Sequence, residues 1–255
     1  MRHLALFLLF TAACDGPGIS EDTALDDLDT TEADTDADST DNDGDSDADT
    51  ERDTTEVGDP IESTALTNKT YVIDYDDVTW VAPSGAGLLS SQIPVEYILM
   101  HIIEADAQGE TIDAAGALGV SDGSGVAQDP CQDAFLFGSQ DFSTNPLFNV
   151  GPTVMSFPVS GSNVNIENAS VEALFVEGGD AIIDISIAGS LDTRPLDASS
   201  PVGDICAAAG FIGATCTACE DGAVECLDVF LTVPRAEADD SIDFDPDLIP
   251  GPSCR

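Results

Sequence analysis

Between Asp15 and Glu62 the chain sets twenty acidic residues against a single base, Arg52, with few apolar residues among them. Such a tract cannot bury enough apolar surface to offset the entropy of ordering it, and its charges repel one another. It is predicted to be a disordered, extended linker, with an end-to-end distance of about 40 Å before self-repulsion stretches it further. What can fold lies after it. Residues 64–255 form a segment long enough for one substantial core. Acidity continues there, with thirty acids against Lys69, Arg194, Arg235 and Arg255, and the whole chain carries a formal charge of −44. A surface so poor in bases cannot neutralise phosphates, which excludes nucleic acid as a partner and disfavours peripheral binding to anionic lipid. A saline habitat would explain the charge, as would attraction of divalent cations or of a basic partner.

Ahead of the acidic tract, Met1-Arg2-His3 is a small basic start and Leu4 to Ala13 an apolar stretch. Thr11-Ala12-Ala13-Cys14 is a small-residue cleavage site. This is the layout of an export signal, too short to remain as a membrane span. Cys14 at the cut resembles the lipobox of bacterial lipoproteins, with Thr11 where that family usually has Leu. The resemblance implies that Cys14 is diacylated, becomes the mature N-terminus and fastens the chain to a membrane through its acyl chains. Residues 1–13 are then signal peptide, 14–63 the lipidated cysteine and tether, and 64–255 the folded domain. The small residues would also suit an ordinary signal peptidase, but cysteine parity favours the lipid. Setting Cys14 aside leaves Cys131, Cys206, Cys216, Cys219, Cys226 and Cys254, an even set suited to an oxidising compartment. Asp15 resembles the inner-membrane retention signal of enteric lipoproteins. That rule differs among lineages, so inner and outer membrane both stay open.

Within the tether, the run from Asp41 to Asp49 resembles the alternating-Asp loops of EF-hands and thrombospondin type 3 repeats. In such loops alternate oxygens wrap a hard cation and a glycine permits the turn. Aligning Gly44 with the loop glycine puts Ser39 at the first ligand position and Thr50 where the bidentate Glu belongs. Asp41, Asp43, Asp45 and Asp47 are therefore expected to associate with Ca2+ only weakly. A solvated spacer is the plainer reading.

Strand signals dominate the rest. Thr70 to Tyr75 and Val78 to Val81 are β-branched and aromatic, and Pro83-Ser84-Gly85 makes a turn. Val171 to Val176, a Gly178-Gly179 turn and Ala181 to Leu191 predict a hairpin, with Ile183, Ile185 and Ile187 on its buried face. Cys226 to Val233 is a further strand, stopped by Pro234. The run Tyr97 to Ile103 is compatible with a strand or a buried helix. Asp204 is placed to cap a short helix that Gly210 and Gly213 end. The sum is a mainly β fold: a single sandwich or barrel-like domain with one or two short helices, braced by disulfides.

The cluster Cys206, Cys216, Cys219 and Cys226 reads first as disulfides. A zinc site would want paired C-x2-C halves, and a redox pair at Cys216 and Cys219 is opposed by the adjacent Glu220 and Asp221. Bridging Cys216 directly to Cys219 would be strained, so the four are expected to pair crosswise. The acidic tether, Tyr71-Val72-Ile73-Asp74, Asp192-Thr193-Arg194-Pro195, and the late cysteines with Cys226-Leu227 resemble an uncharacterised group of exported Gram-negative lipoproteins. That resemblance implies no activity.

His101 lies in an apolar run, where a lone imidazole is a satisfied core residue rather than a base. Arg194 is expected to hold a salt bridge or a turn. Asn68 and Asn168 fit glycosylation sequons by chance. No nucleophile motif or phosphate loop is present, and fifty acids make no carboxylate pair stand out. The expected function is a non-catalytic binding or structural role in the cell envelope. One alternative is a lipocalin-like carrier whose cavity is lined by Phe135, Phe137, Phe142, Phe148, Phe157 and Phe175, residues that would otherwise be ordinary core. Another is a carboxylate-based extracellular hydrolase.

Overall fold

The computed structural model describes residues 59–254 except 88–92, 107, 109, 160, 198–202 and 252–253. The leader, Cys14 and the calcium candidates Asp41, Asp43, Asp45 and Asp47 lie outside the described residues.

The chain builds one antiparallel sheet. Its strands are β1 (Thr70–Asp74), β2 (Thr79–Ala82), β3 (Tyr97–Asp106), β4 (Thr111–Ser121), β5 (Val126–Gln128), β6 (Phe135–Asp141), β7 (Leu147–Val159), β8 (Ser162–Val176), β9 (Ala181–Asp192) and β10 (Cys226–Ala238). Among the described residues three short helices, α1 (Ser63–Leu66), α2 (Arg194–Asp197) and α3 (Ile205–Phe211), decorate it. The spatial order is β5-β4-β3-β1-β10-β9-β8-β7, with β2 beside β10 and β6 beside β4. The sheet curls into a half-barrel, so the fold is mainly β and barrel-like, as the strand signals predict. Across the open side, Thr153 Oγ1 of β7 donates to the Leu136 carbonyl of β6 at 2.9 Å.

The concave face holds the core. Phe175 sits at its centre, stacked on Phe148 at 4.4 Å between ring centroids and edge-on to Phe142 at 5.9 Å. Phe135, Phe137 and Phe157 are buried in the same cluster, with Ile98, Met100, Ile102, Ile185 and Leu231. All six phenylalanines that could have lined a carrier cavity are therefore packed against one another and against aliphatic neighbours. Gly116 makes this possible on β4, because a Cβ there would lie 2.0 Å from Cε2 of Phe135.

The β8–β9 hairpin forms around a turn at Glu177–Gly179. Its inward pattern departs from simple alternation. A bulge in β9 at Asp184 (φ 51°), opposite Glu172 to Leu174 of β8, turns both Ile182 and Ile185 inward and leaves Ile183 half-buried. Tyr97 to Ile103 resolves as strand, paired with β1 on one side and β4 on the other. Asp204 caps α3, its carboxylate accepting from the Ala207 N–H at 2.8 Å, and the helix runs one residue past Gly210.

Pro234 does not stop β10, which continues to Ala238. On one side β10 pairs continuously along β9. On the other its partners are β2 up to Thr232 and β1 from Glu237. Pro234 stands in the gap between those two ladders, where a missing N–H breaks no sheet hydrogen bond.

Candidate functional site

The described residues offer three places where chemistry could sit: the concave interior, the cysteine-rich corner, and the outer face of the sheet beneath the C-terminal segment.

The interior is filled. Its void, lined by Tyr75, Trp80, Ile93, Met155, Phe157 and neighbours, measures about 10 Å³, the size of a single water. Tyr75 Oη and Trp80 Nε1 are buried beside it, neither with a hydrogen bond of good geometry. Burial pushes the Tyr75 phenol up to about 12, opposed by the neighbouring indole N–H. Lipid-sized cargo would need hundreds of Å³.

At the corner, Cys206 bridges Cys216 and Cys219 bridges Cys226. The pairs are consecutive along the chain rather than crosswise. The reason lies in the local path: α3 and its following turn bring Cys216 back onto Cys206. An isolated bridge of Thr217 to Cys226 then folds Cys219 against the start of β10. Glu167 lies close to Cys219 and Cys226, but those sulfurs are spent on each other, and the carboxylate accepts from the Glu220 N–H at 2.8 Å. These cysteines therefore offer no thiolate for zinc. Arg194 organises the same corner. Its guanidinium grips Asp192 through Nε and Nη2, both at 2.8 Å, and reaches Asp221 through Nη1. Those hydrogen bonds hold the Asp192 and Asp221 carboxyls below the ordinary range. Arg194 is thus a structural clamp. Lys69 on Asp180, and Arg235 on Glu177 and Glu237, are likewise engaged.

The third place was not legible in the sequence. Asp239 leaves β10 with its N–H on the Thr70 carbonyl at 2.8 Å, and the chain then crosses the convex face of the sheet. Asp239 accepts from the Ser241 N–H and hydroxyl, shaping the turn that buries Ile242. Phe244 stacks flat on His101, 4.5 Å between centroids and 6° between planes. The ring beneath is itself held, with Nδ1 2.9 Å from Thr70 Oγ1, and burial lowers its affinity for a proton. His101 is buried and hydrogen-bonded rather than free, but on the outer face of the sheet and not in the core its sequence context predicts. Farther on, the Asp245 backbone and the Gln128 side-chain amide exchange hydrogen bonds of 2.8 and 3.0 Å, tying the segment to β5. Cys254 then closes on Cys131, 123 residues away in sequence.

Under this strap, Leu99 and His101 of β3 pair with Ala117 and Ala115 of β4 on the face opposite the core. All four are buried. Where strap and β4–β5 turn diverge, an open cleft of about 630 Å³ remains, lined by Asp122, Val126, Gln128, Ile242, Asp243 and Asp245 among others. It lies within the size range of small-molecule and peptide sites. No Lys, Arg or His lines it, so its lining mixes apolar side chains with uncharged polar ones and the carboxylates of Asp122, Asp243 and Asp245. Asp122 is fixed by the Ser124 hydroxyl and the Ser124 and Gly125 N–H groups, which hold its carboxyl low and ionised.

The carboxylates with resolved shifts (Asp122, Asp192, Asp221, Glu237 and Asp239) all move downward. A general acid needs the opposite shift. Asn68 and Asn168 are exposed at φ 64° and 52°, a left-handed backbone that asparagine tolerates, which accounts for both without a glycan. Comparison with family models, curated proteins and solved structures finds no match to this chain.

Proposed function

We propose that this chain is an exported lipoprotein of the cell envelope, anchored through acyl chains on Cys14, with a non-catalytic binding role for its β domain. The supporting observation is cysteine pairing. Cys131, Cys206, Cys216, Cys219, Cys226 and Cys254 form three disulfides, which leaves Cys14 over by count in a chain of seven cysteines. Disulfides of this density suit an oxidising compartment. A cysteine preceded by an apolar leader and small residues then has a use other than bridging. The acid-rimmed cleft beneath the strap is the surface best formed for a ligand, and its charge favours a cationic or basic one.

Mass spectrometry of the mature protein from a Gram-negative host tests the anchor. The expected N-terminus is Cys14 carrying a diacylglyceryl group, and Cys14→Ser abolishes that mass and releases the protein from membranes. A mature chain starting elsewhere, or an unmodified Cys14, sinks the reading.

A further inference from the structure

The strap, residues 239–251 with Cys254, is fastened to the sheet at a few points. Backbone anchors occur at Asp239 on Thr70 and at Asp245 on Gln128, with the Phe244–His101 stack between them. Its far end is held by the Cys131–Cys254 disulfide, between two half-buried residues. What it covers is unlike a normal convex surface. Leu99 is 0%, Ala115 0% and Ala117 1% exposed, and none of the three belongs to the concave core. Gly119 continues the row, so close to Leu99 Cδ2 and Val126 Cγ1 that a Cβ would lie 3.2 Å from each.

We propose that the strap is a redox-released cover: a dithiol opens Cys131–Cys254, and the freed segment uncovers the apolar outer face of β3 and β4. A thiolate of the dithiol attacks one sulfur of the bridge, the S–S bond breaks, and the other cysteine leaves as a thiolate that takes up a proton. The second thiol of the dithiol then resolves the mixed disulfide. Two electrons pass to the cysteine pair, both of which end as thiols, and the dithiol departs as a disulfide. Access separates this bridge from one of the other two, and the third does not touch the strap. Cys219 and Cys226 are buried at 5% and 0% exposure, so a reagent meets them last. The Cys206–Cys216 bridge closes a separation of only ten residues around α3 and holds no part of the strap.

The test uses the full mature chain, titrated with dithiothreitol and read by differential alkylation and hydrogen exchange. Cys131 and Cys254 are expected to become alkylatable while Cys219–Cys226 stays oxidised. Exchange in residues 242–248 should rise at least tenfold while β3 and β4 keep their protection. A strap that stays protected after its bridge is reduced overturns the proposal. So does reduction of Cys219–Cys226 together with or before Cys131–Cys254. A Cys131→Ser, Cys254→Ser double variant, studied without reductant, supplies the second reading. A folded sheet with a fast-exchanging strap supports a cover. A variant that cannot fold, or one whose strap remains protected, counts against it.

Discussion

Gly116 shows how much a single missing side chain decides. Phe135 lies across it, occupying the space a Cβ would need, with Cε2 only 2.0 Å from that position. An alanine there must push the ring out of the concave core, because β4 is pinned by β3 on one side and β6 on the other. Gly116→Ala is expected to lower stability by about 2–3 kcal/mol in denaturant unfolding. A loss under about 0.5 kcal/mol would mean that the ring relaxes freely. Gly151, at φ 128° and with the Ala169 carbonyl 2.6 Å from where a Cβ would stand, has the same character on β7. Neither role is written in the sequence, because each depends on a neighbour far along the chain.

At the scale of elements, legibility tracked the side-chain pattern. β1, the β8–β9 hairpin and the start of β10 carry β-branched residues, and their sequence declares them. β4 does not. Its stretch Ala114-Ala115-Gly116-Ala117 is small and is buried on both faces, so no alternation survives to mark a strand. β7 carries Pro152 and Pro158, which weigh against a central strand. It is tolerated because it ends the strand order and bulges between Val150 and Met155. The C-terminal strap was equally silent, because its meaning depends on a face that exists only once β1, β3 and β4 are side by side. Of the candidate site, the presence of disulfides, the salt bridge of Arg194 and the burial of His101 could be read in advance, but the cysteine pairing could not.

The strap also predicts a pH response. His101 binds its proton less readily in the folded chain than its ordinary value of 6.5. The stability it contributes is complete above about pH 6.5 and fades as pH falls through the lowered folded value. Unfolding midpoints at pH 7 and pH 5 should therefore drop less in His101→Gln than in the parent protein. Equal drops in the two would place the titration elsewhere.

Across the whole molecule, charge opposes compaction. Lys69, Arg194 and Arg235 are already paired with neighbouring acids, so most carboxylates of the domain have no cation beside them. At −44 overall, self-repulsion is a destabilising term that added salt should screen within about 10 Å at 0.1 M. The melting temperature is expected to rise steadily between low salt and roughly 0.5 M NaCl, above the Debye regime of exposed pairs. A flat or falling curve would show that this repulsion is not limiting. The bridge between Cys131 and Cys254 works in the same direction as salt. It closes the longest covalent loop, which in the chain-entropy model stabilises by about 5 kcal/mol, roughly twice the value for either short bridge.

The position of β10 has a consequence for how the protein comes into being. Being the last strand in the chain yet central in the sheet, it separates a flap of β1 and β3–β6 from a flap of β7–β9. Until residues 226–238 emerge from the ribosome, those flaps meet where β6 lies beside β7 but lack the central strand that pairs with both. The sheet therefore cannot close until β10 has been made, so its two halves wait for one strand rather than locking in turn.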